Sequence, residues 1–210
     1  MFYRPEEPHG LRGDPLNAIV VPRPIGWIST LDAQGRANLA PYSFFNAVAY
    51  RPPQVMFSAS GPHERGGLKD SLANIAATGE FVVNLAPEPL FEQINATATD
   101  FPSDLDEFAE VGLEREPSAR VTPPRVARSP VAIECVLQGT EDFGTSVVVF
   151  GRVVLISIAE DVLVDGYPEI ERLRPLARLG RRQWSTIGEV KEIGRIKYEN
   201  WIPGKVRGDD

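Results

Sequence analysis

A chain of 210 residues is long enough for one sizeable domain and short for two, and its 42% apolar and 24% charged residues exclude disordered, collagen-like and coiled-coil classes. Its 18 glycines and 19 prolines suit short strands and turns better than a helical bundle. The formal net charge of −7 argues against a general nucleic-acid binder. No apolar run approaches the roughly 20 residues that span a bilayer, so no membrane partner is expected.

Strand patterns outnumber helix patterns along the chain. The opening MFYRPEEPHG has neither the basic nor the apolar region of a signal peptide, and about 14 residues form an N-terminal extension. Residues 25–31 (IGWISTL) are β-rich and end in the turn composition Asp32-Ala33-Gln34-Gly35; residues 36–46 resume the strand and complete a hairpin. Pro41 then belongs on an edge or at a bulge, because it cannot donate to a ladder. Residues 54–60, 81–85, 132–138 and 146–158 read as further strands, and residues 191–198 as a closing one. Leu68, Leu72, Ile75 and Ala76 share one helical face, with Asp70 or Ser71 as cap and Gly79 as terminator. Leu90, Phe91, Ile94 and Ala98 mark a second amphipathic helix. Residues 100–116 carry seven acidic residues and one arginine and read as a solvated loop. No repeat or linker divides the chain. The expectation is one domain over residues 1–210, mainly β, a barrel with flanking helices and a C-terminal tail from about residue 199.

The usual catalytic signatures are missing: no dinucleotide or P-loop glycine motif, no G-x-S-x-G elbow, no H-E-x-x-H and no C-x-x-C. His9 and His63 are the only histidines, which leaves a Ser-His-Asp triad or a zinc site without support. Cys135 is the only cysteine; Val131, Ile133, Cys135 and Leu137 alternate onto one strand face, so it reads as a buried thiol in a reducing, cytoplasmic setting. No carboxylate sits in an apolar context that suggests a raised pKa. An enzyme of this composition relies on a bound cofactor for its chemistry.

Small polar residues gather where strands end: Ser29 and Thr30, Ser43, and Ser58 with Ser60 on one face. The segment GPHERGGLKDSLANI follows, a glycine-rich loop with Arg65 that enters a helix carrying Lys69 and Ser71 in its first turn. Free helix N–H groups, a lysine and a hydroxyl form a phosphate cradle; an ordinary helix start beneath a mobile loop fits equally well. In ANLAPYSFFNAV, a proline on a strand leaves backbone groups that can read a flat heteroaromatic edge, with Trp27, Tyr42, Phe44 and Phe45 as walls.

PRPIGWISTLDAQGRANLAPYSFFNAVAYRPPQVMFS and KDSLANIAATGEFVVNL closely resemble the flavin reductase-like, FMN-binding split-barrel family, and VVVFGRVVLISIAEDVLVDG and RPLARLGRRQW resemble it more loosely. The resemblance implies a six-stranded Greek-key split barrel with flanking helices, homodimeric, with FMN near the subunit interface. It implies that Trp27, Ser29 and Thr30 line the flavin and that Asn38, Ala40, Pro41, Tyr42 and Ser43 hold the ring edge. It further implies that Ser58, Ser60, Arg65, Lys69, Asp70 and Ser71 surround the ribityl chain and phosphate and that Arg178 approaches the same site. Arg172, Arg174, Arg178, Arg181 and Arg182 cluster locally and can help admit an anionic ligand. Two features depart from the family: Arg181 and Trp184 follow ARLG where a glycine and a tyrosine are common, and no histidine follows His63. The second bears on nicotinamide binding, not on FMN. The implied activity is hydride transfer from NAD(P)H to flavin, with a partner oxygenase or redox protein as acceptor; the alternative is a flavoredoxin-like electron-transfer module without its own nicotinamide site.

Overall fold

In the computed structural model, residues 1–64, 66–198 and 201 are described. The protein is mainly β, built on one antiparallel sheet. Its strands are β1 (Gly26–Leu31), β2 (Ala37–Tyr42), β3 (Phe45–Tyr50), β4 (Pro53–Ser60), β5 (Glu80–Leu85), β6 (Val131–Asp142) and β7 (Ser146–Ile158). They lie in the order β2-β1-β5-β6-β7-β4-β3. Strands β5, β6 and β7 are consecutive neighbours, and β4 lies beside β7 after a long connection to β5, which is a Greek key. The two edge strands, β2 and β3, are joined by Ser43 and Phe44 alone, so the sheet has curled until its edges meet. No β2–β3 ladder forms there; the hydrogen bond from the Ser58 N–H to the Phe44 carbonyl (2.8 Å) extends the β3–β4 pairing one step beyond Phe45 and Phe57. This is a split barrel.

Six long strands become seven because residues 36–46, read as one strand, break at Ser43–Phe44. Pro41 sits opposite Trp27 on edge strand β2, where its missing N–H costs no ladder bond. Residues 191–198 form no strand and leave Ile193 exposed, since the sheet's edges already meet each other.

The barrel interior is filled by Ile28, Phe57, Ile75, Phe81, Cys135 and Val149, with Ile133 and Leu137 packed against them. Each such side chain contributes about 1.5–3 kcal/mol by leaving water. Burial pushes the Cys135 thiol up to about 12, with the neighbouring Glu134 charge adding to it, so the thiol is inert, as its strand position suggests. Gly151 is required for close packing: a Cβ there would lie 2.3 Å from Cζ of Phe81. A second cluster (Ile25, Trp27, Leu39, Leu90, Ile94, Phe108) fills the space between the sheet and the helices outside it.

Helix α1 (Pro15–Ile19) is capped by Asp14 and buries none of its residues. Helix α2 (Asp70–Thr78) starts two residues after Leu68, and Gly79 ends it in the left-handed region. Its inward face is Ser71, Leu72, Asn74 and Ile75; Leu68 and Ala76 are exposed. The face is partly polar because Asn74 donates to Thr30 (3.0 Å) and Ser71 meets Asn38. Helix α3 (Phe91–Ala96) buries Ile94, with Leu90 in the 3-10 turn before it. The acidic segment is not a solvated loop: it holds helix α4 (Glu107–Glu110) and buries Glu107, Phe108 and Leu113. Charge composition was a poor guide there because Phe108 and Leu113 are the anchors, and the carboxylates were carried in with them. Among the described residues no helix is long and apolar enough to cross a membrane.

Candidate functional site

Beside the split lies a cavity of about 760 Å³, within the range of small-molecule sites. One wall is the end of β2. This strand is paired on one side only, and Asn38, Ala40, Pro41 and Tyr42, with Ser43 beyond, line the cavity. Ser58 and Ser60 of β4 and the start of α2, Lys69, Asp70 and Ser71, line it too. A third wall comes from the N-terminal segment and the Arg178–Gln183 turn, and a fourth from residues 97–101 and Glu107.

The cavity thus collects eleven of the expected residues: Asn38, Ala40, Pro41, Tyr42, Ser43, Ser58, Ser60, Lys69, Asp70, Ser71 and Arg178. Three others do not line it. Trp27 is fully buried, its indole N–H donating to Thr97 Oγ1 at 2.9 Å. The Ser29 hydroxyl donates to the Pro124 carbonyl, and Thr30 accepts from Asn74. These side chains turn into the core because β1 is an interior strand with layers packed on both faces. Trp27 still supports the wall, since Thr97 is itself a lining residue. Arg65 lies outside the described residues. Of the expected aromatic walls, Tyr42 and Phe44 line the cavity; Phe45 packs into the barrel core beside Gly26.

Lys69 occupies the N-cap of α2 and makes no side-chain cap there, contrary to the expectation of an Asp70 or Ser71 cap. Ser71 is drawn inward: its Oγ lies 2.8 Å from the Asn38 amide. With the Asn38 oxygen turned to accept from that hydroxyl, its nitrogen donates to Glu107 Oε1 at 3.1 Å. The Tyr42 phenol, 4.8 Å from the Phe57 ring by centroids, is pushed up to about 12 by burial, its bond with Ser71 opposing and the Asp70, Asp100 and Glu107 charges reinforcing. Tyr42 therefore stays a neutral donor.

Sequence reasoning missed His63, Asp100, Glu107 and Arg23. His63 is buried, its Nε2 3.7 Å from Asp70 and 3.8 Å from Asp100. Asp100 holds Lys69 and accepts the Glu64 N–H at 3.1 Å. Although desolvation raises Asp100, the Lys69 and Glu64 hydrogen bonds and the Lys69 charge outweigh it and keep its carboxyl below the usual range. Glu107, absent from any apolar context in the sequence, is pushed up to about 7. Burial is the main cause and the Asp70 and Asp106 charges add to it, against N–H bonds that include one from Leu39 at 3.3 Å. Of the five C-terminal arginines, Arg178 and Arg181 line the cavity, whereas Arg174 pairs with Glu88 and Arg172 caps the carbonyls of Asp161 and Leu163. No single motif marks Arg23; its importance appears only through the chain segments that meet it.

An edge strand with open backbone groups, aromatic side chains and cationic groups fits an elongated ligand with a flat ring and an anionic tail. A split barrel with such a cavity is the architecture of flavin-handling proteins. A family model described as flavin reductase like domain matches residues 19–173, and the chain belongs to that family. It is 40% identical to an uncharacterized protein of Aquifex aeolicus over 183 residues, covering 86% of this chain and 90% of the relative. Among solved structures it is similar to nitrilotriacetate monooxygenase component B from Bacillus cereus, with a TM-score of 0.84, 29% identity and coverage of 92% and 98% of the two chains. It also resembles the 2-nitrobenzoate 2-nitroreductase of Pseudomonas fluorescens, with a TM-score of 0.78, 28% identity and 87% and 89% coverage. Flavoredoxin of Desulfovibrio vulgaris shares the fold, with a TM-score of 0.75, 21% identity and 82% and 91% coverage. The family and fold point to a flavin-related oxidoreductase role.

Proposed function

We propose that the protein binds FMN in this cavity and acts as an NAD(P)H:FMN oxidoreductase that supplies reduced flavin or electrons to an acceptor. The observation that carries the reading is the juxtaposition, in a chain of the flavin reductase-like family, of the open edge of β2 with the Lys69–Ser71 start of α2. Backbone groups of residues 40–43 would hold the ring edge, and Tyr42 and Phe44 would flank it. Lys69 and the Ser71 hydroxyl at the start of α2 would hold the phosphate. Bound FMN would supply hydride acceptance and two-electron storage. The chain's part is to bind, orient and shield, since no described side chain is needed as acid or base for hydride transfer.

The Bacillus cereus neighbour is named as a monooxygenase component, which supports a partner oxygenase as acceptor. The absence of a histidine after His63 favours a second reading, an electron-transfer module that takes electrons from a protein. Homodimerisation belongs to the same proposal, supported by apolar side chains left exposed on β3 and α1: Val48, Tyr50, Leu16 and Ile19. A cytoplasmic setting is supported by the unpaired, buried Cys135.

The test is direct. Quenching of FMN fluorescence on titration with the protein, followed by NADH or NADPH consumption with added FMN, is expected. A colourless protein that fails to quench FMN overturns the whole reading; quenching without turnover of either nicotinamide selects the electron-transfer module.

A further inference from the structure

Arg23 and Arg178 stand directly opposite each other in the short antiparallel ladder that pairs Arg23–Pro24 with Ala177–Arg178. Like charges so placed repel, and among the described residues neither guanidinium has an ion-pair partner. Asp14, a carboxylate of the same lining, is committed to capping α1, where it accepts from Leu16 N–H and Asn17 Nδ2, each at 2.9 Å.

The two arginines are held differently. Arg23 is buried and spends its donors on the carbonyls of Asn17 (2.7 Å), Val20 (2.8 Å) and Leu179 (3.0 Å), with Ser43 Oγ at 3.5 Å. It clamps three chain segments and leaves its charge at the cavity. Arg178 gives one donor to the Arg181 carbonyl and lies 5.1 Å over the Trp184 ring, so its plane is fixed while four of its five N–H groups have no acceptor among the described residues. Burial, and then the Arg23 charge, lowers Arg178 from its ordinary value, which an anion would relieve. Arg181 lines the same end.

This end is separate from the start of α2. Ser71 meets β2 at Asn38 and Arg23 meets the chain at Ser43, five residues on, which is about 16 Å of extended strand. The two groups of cations thus meet the chain at different ends of this segment.

We propose that Arg178, backed by Arg23, is an oxyanion subsite for a second ligand of the cavity, one that presents a phosphate or a carboxylate to the open guanidinium edge. The word "second" rests on the FMN reading above; the oxyanion subsite does not. Trp184 beneath Arg178 provides the readout. Wild-type and Arg178→Gln proteins are titrated with inorganic pyrophosphate and with benzoate, following tryptophan fluorescence, and separately with FMN and riboflavin. A saturable response to one of the anions, weakened about ten- to 150-fold in Arg178→Gln, is expected. The anion that responds identifies phosphate or carboxylate as the source. The FMN-to-riboflavin affinity ratio should be the same in both proteins.

No saturable response to either anion overturns the subsite, and so does a response indifferent to Arg178→Gln. Selective loss of FMN over riboflavin in Arg178→Gln overturns it too, because the arginines would then hold the flavin's own phosphate. Wild type that binds neither flavin overturns the FMN reading alone, since the anion titrations need no flavin. If Arg178→Gln melts early, Arg178→Lys, which keeps the charge and loses the planar fork, replaces it in the same comparisons.

Discussion

The Lys69 ammonium lies 2.8 Å from one carboxylate oxygen of Asp100 and 3.1 Å from the other. The group proposed to grip a phosphate is thus already held by an acid from the segment that reads as a solvated loop. Lys69→Ala should weaken FMN about ten- to 150-fold and leave riboflavin, which lacks the phosphate, nearly unchanged. Fluorescence titration of both flavins checks this; equal losses would mean that Lys69 shapes the site generally, and no loss would return the segment to an ordinary helix start.

Asp100 competes with any phosphate for that lysine. Asp100→Asn frees the ammonium of its charged partner, and FMN affinity should rise, by up to about fivefold, with riboflavin again indifferent. Weaker FMN binding in Asp100→Asn would show instead that Asp100 positions Lys69 for the phosphate.

Glu107 makes stability depend on pH. Its carboxyl titrates near 7 in the folded protein, above its ordinary 4.5, so the folded state binds the extra proton. The favourable contribution is complete below about 4.5 and is lost as pH rises through about 7, where a buried carboxylate must ionise. Glu107→Gln keeps the shape and an acceptor for the Leu39 N–H without the charge. The melting temperature of Glu107→Gln relative to wild type should rise between pH 5 and pH 8. A difference that stays flat across that range would refute the assignment.

Gly151→Ala places a methyl group 2.3 Å from Cζ of Phe81, itself fully buried at the centre of the barrel. Overpacking of this kind costs about 1–3 kcal/mol, read as a lower urea midpoint. Unchanged stability would mean that the bulged β6–β7 ladder shifts to make room.

The proposed homodimer covers the exposed side chains of β3 and α1. Light scattering at micromolar concentration should return twice the chain mass, and Val48→Asp, on that face, should lower it. A monomer that still binds FMN would remove the dimer from the proposal.

Periodicity and turn chemistry determine much of this protein before any coordinate is known. The strands of the sheet other than β3, the helix ended by Gly79, the edge position of Pro41 and the inert Cys135 follow from alternation, β-branched runs and glycine or proline placement. These are local rules, and they act within a few residues. The ANLAPYS strand and the KDS helix start point to the cavity for the same reason. What tertiary structure alone decides is which of the chemically suitable side chains reach it. Trp27, Ser29 and Thr30 lie on a strand packed on both faces and turn inward, while Asn38, Ala40, Pro41 and Tyr42 lie on the edge strand that the split leaves open. His63, Asp100 and Glu107 enter through loops and a one-turn helix anchored by residues such as Phe108, and Arg23 through a two-residue strand. The Arg23–Arg178 pair joins residues 155 positions apart across a two-residue ladder, a contact that leaves no local pattern in the sequence because its partners are brought together only by the folded chain.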